Sequence, residues 1–119
     1  MRLARYAGVG VVATLAHYLT LVACVEALGW PAWVGSGVGA AVGAQVAYAG
    51  NRWFTFGHRG PLRASWPRFM ATALLGGVLG MAIVAAGVRL GLPYLLAQVV
   101  ATLVGMVLTY TVNRSWTFR

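Results

Sequence analysis

The stretch Asn51-Arg52-Trp53-Phe54-Thr55-Phe56 decides how this chain is read. It returns as Asn113-Arg114-Ser115-Trp116-Thr117-Phe118, at an offset of 62 residues. The same offset pairs Gly29 with Gly91, Pro31 with Pro93, Gly43 with Gly105 and Tyr48 with Tyr110, while Arg5-Tyr6 pairs with Arg68-Phe69 at 63. The chain is two copies of one unit, residues 1–57 and 64–119, with one residue gained or lost between them. A repeat of this kind constrains the architecture before any local reading does.

Composition then names the solvent. Of 119 residues, 61% are hydrophobic and 8% are charged, against about 25% charged in a typical soluble domain. There is too little polar surface to cover a water-soluble globule, so the expected surroundings are lipid. A spanning helix needs about 20 mostly apolar residues. Four such runs fit, Tyr6 to Leu28, Ala32 to Trp53, Phe69 to Leu90 and Pro93 to Val112. They consume nearly the whole chain and leave no room for a conventional soluble active site. The first run follows Arg2 and Arg5 as a signal peptide would, but exceeds the roughly 7–15 apolar residues of one. Its repeat partner lies mid-chain, so both are read as retained helices. The lone Cys24 has no partner cysteine in the chain.

The expected fold is an all-α integral membrane protein, a single domain of four transmembrane helices arranged as two parallel two-helix repeats. All nine basic residues are arginines, and eight of them (Arg2, Arg5, Arg52, Arg59, Arg63, Arg68, Arg114 and Arg119) fall at the N-terminus, in the middle loop or at the C-terminus. The positive-inside bias places those three segments, and so both termini, in the cytoplasm, with the protein in the cytoplasmic (inner) membrane. The net charge of +8, clustered at helix ends, reads as contact with anionic lipid head groups rather than nucleic acid. Gly29-Trp30-Pro31 and Gly91-Leu92-Pro93 are the tight outer turns, since Gly and Pro both interrupt helix. Residues 57–67 form the one loop of any length and are basic. Gly35, Gly39, Gly43 and Ala47 make a row of small residues in the second run, matched by Ala97, Ala101, Gly105 and Thr109 in the fourth. Such rows let helix backbones approach closely in lipid.

The polar residues supply the candidate sites. Tyr48, Asn51 and Arg52 close the second run, Tyr110, Asn113 and Arg114 close the fourth, and Arg5 and Arg68 open the first and third. Arginine offers planar, bidentate donors to phosphate oxygens, and Asn and Tyr add neutral hydrogen bonds. These eight residues are the expected phosphate and lipid head-group site. Topology asks for positive charge at the inner face, but not for an Asn-Arg pair in two copies. His17 is the one ionisable group near mid-membrane, and its repeat counterpart is Gly80. Such groups are expensive in lipid. Two readings stand: a proton-coupled element of a translocation path, or a neutral imidazole hydrogen-bonded across the bundle. Glu26 and Arg89, at equivalent outer positions, extend that path as an ion pair or polar mouth, pair between neighbouring chains, or simply reach interfacial water. Gln45 and Gln98 are expected to bond across helices. With no Asp, one Glu and one Cys, the sequence offers no catalytic residues, metal site or cofactor site, and the chain is not read as an enzyme.

The basic-aromatic start Arg5-Tyr6, four spans, and Asn-Arg-x-x-Thr-Phe closing both halves resemble the GtrA-like family of small four-helix membrane proteins, over essentially the full chain. The resemblance implies a role in cell-surface polysaccharide synthesis. The implied activity is translocation of a polyprenyl-phosphate-linked sugar to the outer leaflet, with Asn51, Arg52, Asn113 and Arg114 on the recurring motif. Related four-helix domains fused to polyprenyl-phosphate sugar synthases imply the alternative, a non-transporting anchor or scaffold for a glycosyltransferase. So thin a bundle suggests a homo-oligomer. A small multidrug exporter is the third four-helix reading, but it needs a membrane-embedded carboxylate, and Glu26 sits near the outer edge.

Overall fold

The computed structural model describes residues 2–50, 52 and 62–112. Four helices follow in order: α1 (Arg2–Val22), continued by a π-helical turn (Ala23–Ala27), α2 (Ala32–Ala49), α3 (Leu62–Arg89) and α4 (Tyr94–Val112). There is no strand among the described residues. The protein is an all-α, four-helix membrane protein. Ala7–Ala27 and Trp66–Arg89 are long and apolar enough to span a bilayer, and Tyr94–Leu108 is a shorter apolar helix. Only 22% and 11% of the two long stretches are buried inside the bundle, so neither is the core helix of a soluble domain. Leu19, Leu74, Leu90, Met106 and Val107 stand outward, while Ser36 and Gln98 are 1% and 2% exposed. Apolar outside and polar inside is the arrangement a hydrocarbon solvent selects.

Each hairpin closes on a glycine with left-handed backbone, Gly29 at φ 68° and Gly91 at φ 93°, a conformation glycine adopts without a Cβ penalty. In the second hairpin the Leu92 N–H donates to the Gly87 carbonyl at 2.9 Å and the Gly91 N–H to Val88 at 3.0 Å, which is the Schellman pattern. The first hairpin is wider. There Leu28 donates back to Ala23 at 3.2 Å and Trp30 to Cys24 at 3.0 Å. A π turn takes in one more residue than an α turn. The helices of the two repeats match at offset 63 before this turn, and Gly29 and Gly91 match at 62 after it. The extra residue of the first repeat is therefore absorbed in the π turn. Both turns lie at one end of the bundle, the turn end. The third helix begins earlier than its apolar run, so Leu62 to Pro67, expected as loop, are the first turns of α3.

The small-residue row of α2 packs inside its own hairpin. Gly35 lies on Leu21 and Cys24, Gly39 on His17, Gly43 on Ala13 and His17, and Gly50 on Val9. The contact positions on α1 thus recur every three or four residues and follow one face. A Cβ built on Gly39 would stand 2.5 Å from the His17 carbonyl oxygen, so no side chain fits without moving backbone. In the second hairpin Gly87 meets Ala97 and Gly80 meets Ala101, around a core of Val84, Ala97 and Ala101. Gly105, the counterpart of Gly43, has nothing within 4 Å of a built Cβ.

These contacts predict opposite outcomes for one substitution. Gly39→Ala overpacks the α1–α2 contact and should cost about 1–3 kcal/mol. Gly105→Ala should be neutral or gain up to about 1 kcal/mol of helix propensity. Melting temperatures of the purified variants in detergent would check this, and equal shifts would contradict the packing described.

Candidate functional site

At the end opposite the turns, α2 closes with Tyr48 and Arg52. One turn apart on a common face, they meet: the Arg52 Nη1 donates to the Tyr48 hydroxyl at 3.4 Å. Tyr48 is buried, with its ring edge-on to Phe69 of α3 at 5.4 Å between centroids. That contact brings Arg68, exposed and next in sequence, to the same end. Arg5 is there too, one turn before Val9, which seats Gly50. The structure thus gathers four of the eight expected head-group residues, Arg5, Tyr48, Arg52 and Arg68, at one end. Asn51, Asn113, Arg114 and the side chain of Tyr110 lie outside the described residues. Beside this basic end an apolar cleft of about 230 Å³ opens between α1 and α2, lined by Gly8, Val9, Val12, Val46 and Gly50. The missing side chain at Gly8, where a built Cβ would meet nothing within 4 Å, adds to the room. The sequence carried no sign of it beyond two glycines among many.

Deeper in the bundle lies a connected polar group. The Ser36 hydroxyl donates to Gln98 Oε1 at 2.6 Å, and Gln98 Nε2 donates to the Thr102 hydroxyl at 3.3 Å. Thr102 and the Tyr18 hydroxyl are 2.7 Å apart, and Tyr18 also reaches the Gln98 carbonyl at 3.3 Å. Three helices, α1, α2 and α4, meet through this chain. Sequence reasoning singled out Gln98 but missed Tyr18, Ser36 and Thr102. A signal was present, since Ser36 is the offset-62 counterpart of Gln98, and counterparts meet at an axis relating two repeats. Gln45 also bonds across helices, its Nε2 to the Met70 sulfur at 3.1 Å.

His17 borders the same group. Its ring is edge-on to Tyr18 at 5.5 Å and lies against Gly39, with the Gln98 side chain and Ser36 backbone nearby. Nε2 is closed off from solvent and makes no hydrogen bond.

Glu26 lies nine residues further on, about 14 Å along a helix, so the structure does not bring the two together. In the π turn Glu26 accepts a hydrogen bond from the Tyr94 hydroxyl at 2.9 Å. Its partner is the first residue of α4, not Arg89. Arg89 is exposed in the last turn of α3, where a cation complements the helix dipole.

Residues 5–118 match the family described as GtrA/DPMS, transmembrane domain. This is a membrane domain and not a known catalytic fold. No curated protein and no solved structure matches the chain. Four apolar helices in two repeated hairpins, matched over almost their full length, place the chain in the GtrA/DPMS transmembrane-domain family.

Proposed function

We propose that the protein translocates a polyprenyl-phosphate-linked sugar across the cytoplasmic membrane, for cell-surface polysaccharide synthesis. Family membership supports handling of lipid-linked sugars. The observation that carries the reading is the junction at the basic end. There Arg52, held against Tyr48, follows two residues after Gly50, which lines the apolar cleft with Gly8. A phosphate needs the guanidinium and a polyprenyl chain needs the cleft. Asn51 adds a neutral hydrogen bond, and Tyr110, Asn113 and Arg114 repeat the set in the second hairpin. The remaining task is to shield a sugar from hydrocarbon, where each unsatisfied polar group costs several kcal/mol. His17, Glu26 and Arg89 mark the polar route. In this reading four helices span the membrane with both termini cytoplasmic, the chain works as a homo-oligomer, and it performs no covalent chemistry.

One observation favours the scaffold reading. At 28 residues, α3 is about 42 Å long against a hydrocarbon core of about 30 Å. Its first turns add length beyond what the core requires, and in the scaffold reading they serve a glycosyltransferase as a handle.

Two experiments test these readings. In liposomes loaded with a polyprenyl-phosphate sugar, the protein should speed access of an external reagent to the lipid. The Arg52→Ala/Arg114→Ala variant should lose about tenfold or more of that rate, since hydrogen bonds to charged groups contribute about 1.5–3 kcal/mol each. No access above empty liposomes, with the lipid bound, favours the scaffold. For orientation, in a Cys24→Ala background an impermeant maleimide should label Trp30→Cys in intact cells, but Ser115→Cys only after permeabilisation. The reverse pattern would overturn the cytoplasmic assignment of the termini.

A further inference from the structure

Two copies of one hairpin, related by an axis along the membrane normal, would make two equal seams: α2 against α3, and α4 against α1. The structure makes them unequal. Helices α2 and α3 pack along their length. Gly37 lies beneath Met81, with a built Cβ 2.6 Å from its sulfur, and Gly77 faces Ala40 at 3.5 Å. Tyr48 and Phe69 continue the contact. Among the described residues, the backbones of α1 and α4 come close at isolated points at most. What joins them is side chains: Tyr18 to Thr102 and Gln98, and Tyr94 to Glu26.

The residues at matching positions explain the difference. Tyr18 corresponds to Met81 and His17 to Gly80 at offset 63, and Thr102 corresponds to Ala40 at offset 62. At these matching positions the α2–α3 seam carries an alanine and a thioether where the α1–α4 seam carries two hydroxyls. Stability does not ask for the second set, because the first seam packs without it. In lipid a polar side chain within a span either bonds across helices or lines a path. Tyr18 and Thr102 are half-buried, and Ser36 and Gln98 lie behind them. All four are neutral and both donate and accept, which suits hydroxyl groups better than an ion.

We infer that the α1–α4 seam is a lateral entry for a saccharide head group. When the Tyr18–Thr102 hydrogen bond parts, the two hydroxyls, Gln98 and Ser36 exchange partners with sugar hydroxyls, and His17 Nε2 gains the bond it lacks. Each bond broken in the protein is replaced by one to the sugar, so the seam opens without stranding polar groups in hydrocarbon. The lipid tail stays outside the bundle while the head group moves between α1 and α4. The attachment of that sugar to a lipid rests on the translocation reading; the seam and its chemistry do not.

The test is photo-crosslinking of the full-length protein in liposomes. One arm uses a polyprenyl phosphate bearing a diazirine-substituted hexose, and the other the free diazirine hexose, with adducts mapped by mass spectrometry. Adducts should fall on α1 and α4 around Tyr18 and Thr102, and not around Met81 and Ala40. Tyr18→Phe/Thr102→Val should cut the seam yield about tenfold, and Tyr18→Phe alone serves if the double variant does not fold. Met81→Leu should keep the yield. Seam adducts from the lipid-linked probe alone make the lipid-linked sugar the ligand. Seam adducts from free hexose alone keep the sugar site but count against lipid-linked translocation. Adducts confined to the outer surface or the α2–α3 seam, or a seam yield unchanged in the variants, would overturn the inference.

Discussion

Hydrocarbon gives a polar atom nothing to bond to and gives an apolar side chain no reward for leaving it. Everything in this bundle follows from that constraint. The backbone must satisfy itself, so the chain is helical. The helices cannot rely on the hydrophobic effect to associate, so they rely on close approach. Gly39 against the His17 carbonyl is the sharpest case, because a single methyl there would push the first hairpin apart. Gly35 and Gly43 of the same row, and Gly50 beyond it, lie against α1. The first hairpin is therefore held by backbone geometry more than by side-chain volume.

Polar groups inside such a bundle are informative because nothing in the solvent tolerates them idle. Ser36, Gln98, Thr102 and Tyr18 satisfy one another. They tie three helices at the place where equivalent positions of the two repeats meet. His17 beside them has a nitrogen without a bond. The bundle thus has a tightly packed apolar seam on one side and a thin polar seam on the other. Duplication supplied the frame, and divergence at Tyr18 and Thr102 made the two seams chemically different.

The two ends of the bundle are equally distinct. The turn end is closed by two glycine turns, with the π turn presenting Glu26 to Tyr94. The opposite end carries Tyr48 and Arg52 in contact and an apolar cleft beside them. That end sets a cation near an apolar surface, while the neutral polar groups lie at mid-depth.

Much of this was legible in the sequence by itself. The 62-residue repeat, the apolar runs and the two Gly-x-Pro turns determine four helices in two like hairpins, because lipid leaves a chain of this composition few other folds. Even the single-residue mismatch between the repeats was visible as the change from 63 to 62. Its absorption in a π turn was not, since a helix can take an extra residue as a bulge or as a longer loop, and only packing chooses. Partners were likewise beyond reach. Glu26 and Arg89 match in sequence, yet Glu26 bonds Tyr94, because the rotation of each helix, not its register in the repeat, decides which side chains face. The same holds for Tyr18 and Thr102, 84 residues apart. Sequence determines which residues are polar and at what depth; tertiary structure decides which of them meet, because that depends on helix rotation and on glycine contacts shorter than any side chain allows.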